Sequence, residues 1–134
     1  MTDLEINKAI AEETGWRGVD ITGHFVKSVK GWPPGSHSTL TEDREFVRDY
    51  ANDDNAMREV WSYLNLTDRF NLEVRVKWIN TLRGIVSKTC PVNKLGTAIV
   101  SDVDLMLATT RQHAEAVLRM RGKWKDQKSV KHHD

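Results

Sequence analysis

The sequence predicts a single α+β domain in which three or four helices flank a small β-sheet. Three observations carry that prediction. Apolar residues recur at helical spacing behind recognisable N-caps in several places. A stretch of alternating apolar residues ends on Trp32-Pro33-Pro34-Gly35, which reads as a strand and its terminator. The chain has 134 residues, 39% hydrophobic and 29% charged, which suits one domain and is too apolar for a disordered chain. Folding at this length buries roughly two-thirds of the unfolded surface. Residues 1–125 are assigned to the domain, and 126–134 to a polar, basic tail expected to be flexible.

The first helix starts at Thr2, whose T-x-x-E spacing to Glu5 makes a capping box. Ile6, Ala9 and Ile10 share one face, and Gly15 is placed to end the helix. Residues 17–32 then read as one extended stretch, with Val19, Ile21, Phe25 and Val29 at multiples of two and Gly23 as a bulge or bend. Residues 35–48 are polar and read as a surface loop.

The second helix is capped from Asn52, Asp53 or Asp54. Met57, Val60, Trp61 and Leu64 follow the i, i+3, i+4, i+7 rule, so Trp61 is expected in the core. Residues 67–83 fit two patterns. Phe70, Leu72, Val74, Val76 and Trp78 alternate as in a strand, and this pattern is slightly the better one. Phe70, Val74, Trp78 and Leu82 also stack at helical spacing, with Thr67-Asp68 as a cap and Gly84 as a stop. Ala98–Val100 and Val103–Ala108 are apolar and partly β-branched, suggesting one strand or two short ones. Thr109 and Gln112 supply a capping box for the last helix, whose buried stripe is Ala114, Val117 and Leu118, with Gly122 at its end.

Charge is balanced, 20 Lys+Arg against 19 Asp+Glu, which excludes a strong field of either sign. It is also uneven. Residues 119–134 carry six basic residues against two acidic ones. Cys90 is the only cysteine, so no intrachain disulfide can form, as expected in a reducing compartment. The polar opening Met1–Glu5 lacks the pattern of a signal peptide, and no apolar run reaches the length of a membrane span. A cytoplasmic protein without membrane association is expected.

Chemistry-bearing residues are sparse. His24, His37 and His113 share no ligand spacing, and His132-His133 lie in the tail, so neither a metal nor another cofactor is expected. Asp53 and Asp54 read as helix caps before they read as a cation site. Cys90 has Lys88 and Lys94 nearby but no base in sight. Gly31–Gly35 has prolines where a phosphate cradle needs backbone donors.

The candidate contact residues are therefore aromatic and basic. Trp32 and Trp124 sit at element ends beside Lys30 and between Lys123 and Lys125, which suits either packing or stacking on a partner. Arg111 lies in the first turn of the last helix, where a cation opposes the helix dipole. A carboxylate from the body of the domain should compensate it, with a bound anion as the alternative. Arg119, Lys123 and Lys125 form the basic patch.

Three stretches taken in order carry a family resemblance: Leu4–Trp16 (LEINKAIAEETGW), Asp49–Met57 (DYANDDNAM) and Ala108–Arg119 (ATTRQHAEAVLR) with Gly122-Lys123-Trp124. The chain resembles the phage α-β-α sandwich domain family, small proteins encoded by phages and prophages. Asp54 departs from the leucine usual there. The resemblance implies a sheet flanked by helices and a helix over 67–83. It implies a phage setting and no general activity, so no catalytic residue is carried across. With no catalytic set recognisable, the expected function is non-enzymatic: binding a host protein or a small signalling ligand, with interference in host defence as the specific version. The alternative is a nucleic-acid-associated accessory protein using the basic C-terminal segment. A homo-oligomer is compatible with either.

Overall fold

The structure, a computed structural model, describes residues 1–66 and 71–126. Helix α1 (Asp3–Glu13) opens with the expected capping box: the Thr2 amide donates to Glu5 at 2.8 Å and the Glu5 amide to the Thr2 hydroxyl at 3.2 Å. Ile6, Ile10 and Ala11 are fully buried. The helix closes when the Thr14 hydroxyl donates to the Ile10 and Ala11 carbonyls.

The extended stretch 17–32 is a hairpin and not a single strand. Strands β1 (Arg17–Thr22) and β2 (Ser28–Trp32) pair antiparallel, with Ile21 opposite Val29 and Thr22 opposite Ser28. Gly23 makes the turn possible. Its φ is +117°, and a Cβ there would lie 2.1 Å from the Val26 carbonyl oxygen. Phe25, placed in the apolar stripe by spacing, sits at the exposed tip. A third strand, β3 (Glu45–Phe46), lies inside the segment read as loop, and the sheet order is β1-β2-β3.

Helix α2 (Asp54–Tyr63) is capped by Asp53, which accepts from the Asn55 and Ala56 amides. Ala56, Met57 and Val60 are buried, whereas Trp61 is only half-buried. Helix α3 (Leu72–Val86) decides the ambiguous segment in favour of a helix and is capped by Asn71. Thr67, Asp68 and Phe70 lie outside the described residues. Gly84 does not stop this helix. It has a helical neighbour on either side and open space where a side chain would stand.

The second strand expectation also fails. Residues 102–106 form helix α4 (Asp102–Met106), and 98–100 contribute only an isolated bridge, Val92 to Ala98. The reason is a capping box. Ser101 and Asp104 exchange amide bonds of 2.8 and 3.2 Å, and two satisfied donors outweigh the strand preference of Val103. Helix α5 (Thr110–Met120) starts with the Thr109–Gln112 box as expected and ends before Gly122 at φ +73°.

From the sheet outwards the helices stack in order: α1 on the hairpin, α5 on α1, α3 on α5, with α2 also against α5. The main core joins Ile6, Ile10, Val19, Val29, Met57, Val60, Val117 and Leu118. A smaller cluster of Leu82, Ile85, Val86 and Ala116 lies between α3 and α5, and Trp78 packs against both. The molecule is a single α+β domain, and no helix among the described residues is long and apolar enough to cross a membrane.

Candidate binding surfaces

Most of the contact residues marked in the sequence are held by the protein itself. Arg111 bonds the Asp3 carboxylate and the Met1 carbonyl, so a carboxylate of the body compensates it and leaves the anion alternative without a free guanidinium. Trp32 is an internal anchor. Its indole N–H donates to the Leu40 carbonyl at 2.9 Å, and the Arg17 and Arg44 guanidinium carbons lie 5.3 and 5.8 Å from its ring centroid. Trp124 packs against the main core, donates to Asp126 at 3.2 Å and lies under Arg119.

The basic patch divides. Arg119 pairs with Glu115 at 2.6 Å and Asp126 at 3.2 Å, and Arg121 pairs with Glu13 at 2.8 Å. Lys123 and Lys125 are exposed and line a groove of about 310 Å³ with Glu5, Lys8 and Glu12 of α1. Hydrogen bonds from Thr2 and, more weakly, the charges of the Met1 ammonium and then of Lys125 hold the Glu5 carboxyl below its ordinary value. Lys128 and Lys131 lie outside the described residues.

The other titratable candidates have structural partners. Asp53 caps α2, and Asp54 accepts from the Thr110 hydroxyl. Burial and the neighbouring Asp104 carboxylate push the Cys90 thiol up, the opposite of what a nucleophile needs. His113 lies edge-on to Trp61 at 5.1 Å and 6.0 Å from Trp78. Burial lowers its pKa, and Asp54 partly opposes the shift. Among the described residues no group of three His, Cys, Asp or Glu side chains could hold a metal.

Two features went unmarked in the sequence. The first is a set of exposed apolar side chains within residues 92–107. Leu95, Met106 and Leu107 are 90%, 81% and 75% exposed, and Val92, Ile99 and Val103 are also exposed. The segment is built, with one face anchored. Cys90, Val100, Leu105 and Ala108 pack on the cluster between α3 and α5. Asn93 folds the tip, accepting from the Leu95 amide at 2.8 Å and the Thr97 amide at 3.0 Å, which presents Leu95 at the turn. The sequence signal was available as apolar side chains left over once Leu105 and Ala108 are assigned inward.

The second feature is a cavity of about 190 Å³ between the end of α1, Pro34 and α2, walled by Trp16, Tyr50 and Tyr63. Its residues come from four separate parts of the chain, so no spacing could reveal it. Compared with known proteins, the chain matches no family model, no curated protein and no solved structure.

Proposed function

We propose that this chain is a non-enzymatic binding protein of phage or prophage type that docks on a host protein in the cytoplasm through the apolar face of residues 92–107. The observation that carries the reading is that six large apolar side chains of this one short segment stand exposed. Soluble domains seldom leave large apolar side chains clustered in water, and such clusters mark contact surfaces. Its charge favours a protein over a nucleic acid. Lys94 stands against Asp102 and Asp104, whereas a phosphate backbone calls for a cationic surface. The ion pairs that hold Arg119 and Arg121 argue the same way. The resemblance to phage proteins supports the host setting, and the lone thiol Cys90 suits a reducing compartment. Interference with a host defence protein is the version we favour.

The test uses the double variant Leu95→Asp/Met106→Asp. Both side chains are solvent-exposed, so the variant should melt like the wild type. Tagged wild-type protein, crosslinked in host extract, should capture a protein that rebinds when purified, and the variant should bind it at least about tenfold more weakly. Equal binding by the variant would overturn the reading. Nuclease-sensitive capture would point to the nucleic-acid alternative. A concentration-dependent dimer in sedimentation, lost in the variant, would assign the face to a second copy.

A further inference from the structure

We propose that the cavity walled by Trp16, Tyr50 and Tyr63 binds a small methylated ammonium cation. Two of its three aromatic walls are held in place by the protein. The Trp16 indole N–H donates to the Tyr50 hydroxyl at 3.1 Å, and Tyr50 is only 4% exposed, so neither ring is free to swing. Tyr63, in the last turn of α2, stands across from them. Its hydroxyl reaches over Gly15, where an added Cβ would lie 3.1 Å from it and 3.4 Å from Pro34. Gly15, at φ +94°, keeps that corner open.

The rim sets the charge of the occupant. Of the lining residues, Arg48 is bonded to Glu59, and Asp53, outside the lining, lies 3.8 Å from the same guanidinium, so the one cation at the rim already meets two carboxylates. An anion would have to displace a carboxylate from Arg48. A cation meets three aromatic side chains and the Glu59 carboxylate, the kinds of group that recognise quaternary ammonium ions. The lining is mainly aromatic and aliphatic, which suits N-methyl groups better than a bare ammonium that must keep all its hydrogen bonds. A cavity of about 190 Å³ admits a trimethylammonium head with a short stem. The site shares no residue with the 92–107 face, so the two proposals fail independently.

Choline is the probe. Its uncharged isostere, with a quaternary carbon in place of nitrogen, is the control for shape alone, and trimethyl-lysine amide distinguishes a modified side chain from a free small molecule. Binding is read from the indole N–H resonance of Trp16, assigned with Trp16→Phe. The expected result is saturable choline binding with a Kd below about 10 mM and the carbon isostere at least about fivefold weaker. Glu59→Gln should weaken choline, and Tyr63→Ala should abolish binding while Tyr63→Phe keeps it, all with unchanged melting temperature. Tighter binding of trimethyl-lysine amide than of choline would identify a protein side chain as the source, and the reverse a free metabolite. Equal binding of the carbon isostere, or no shift of the Trp16 resonance, would overturn the proposal. Phosphate binding that Glu59→Gln strengthens would overturn it in favour of an anion site at Arg48.

Discussion

Arg111, in the first turn of α5, is bonded to Asp3, in the first turn of α1, across 108 residues of sequence. The two residues play unequal parts. Asp3 favours the positive end of its own helix dipole, whereas Arg111 opposes that of α5. Asp3→Asn should therefore cost about 0.5–1 kcal/mol, since it removes a favourable dipole charge and leaves Arg111 uncompensated. Arg111→Gln should be within about 0.5 kcal/mol of neutral, because both side chains are half-exposed and an unfavourable dipole charge goes with the pair. Urea melts of the two variants check the asymmetry. A larger loss for Arg111→Gln would contradict it.

Trp61 of α2 and Trp78 of α3 differ from the residues of the core proper. Leu118 is fully buried in α5, and Leu118→Ala should cost about 3 kcal/mol or more through lost burial and the cavity left behind. Trp61 is half-buried against Trp78, at 5.5 Å between ring centroids, and against His113. Trp61→Ala should destabilise the domain without unfolding it, by no more than about the same amount. Chemical denaturation of both variants ranks them.

Two glycines should respond in opposite directions to alanine. Gly23→Ala places a Cβ against the Val26 carbonyl at a positive φ, and should destabilise the hairpin by more than about 1 kcal/mol. Gly84→Ala adds a methyl group in open space within α3, and should stabilise by about 0.5–1 kcal/mol. Thermal melts give both signs in one experiment.

Acid should weaken the fold through His113. Burial holds its folded pKa below the ordinary 6.5, so below that pH the unfolded chain takes up a proton that the folded one resists. The stability contribution is whole above about pH 6.5 and is lost as pH falls towards and through the folded value. Asp54, held by Thr110, opposes the shift in part, so Asp54→Asn should steepen the loss. Melting temperatures from pH 7.5 to 5, compared with His113→Gln, isolate the slope. A slope unchanged by His113→Gln would remove His113 as its source.

The capped helices were legible because a cap is local. Thr2 with Glu5, Asp53, and Thr109 with Gln112 announce themselves within four residues. The hairpin was hidden because Val19, Ile21, Phe25 and Val29 keep the same parity through the turn, so the period-two stripe runs on across a break in the strand. In the 98–108 stretch, the β-branched Ile99, Val100 and Val103 surround the Ser101–Asp104 box and mask its local signal. The site residues were harder still. Trp32 is settled by the carbonyl of Leu40 and Arg111 by the carboxylate of Asp3, and neither contact follows from spacing. Aromatic and basic residues at element ends mark a contact of some kind, without saying whether the protein or a partner supplies it.

Docking through residues 92–107 is tested by placing a photo-crosslinking side chain at Met106 in one protein and at Phe25 in another. Both positions are apolar and exposed, one on the 92–107 face and the other at the hairpin tip, so general stickiness would affect them alike. Met106 is expected to crosslink to one host protein in a defined ratio, Phe25 is not, and Leu95→Asp should abolish the product. Crosslinking from Phe25 to the same protein with none from Met106 would contradict docking through this segment.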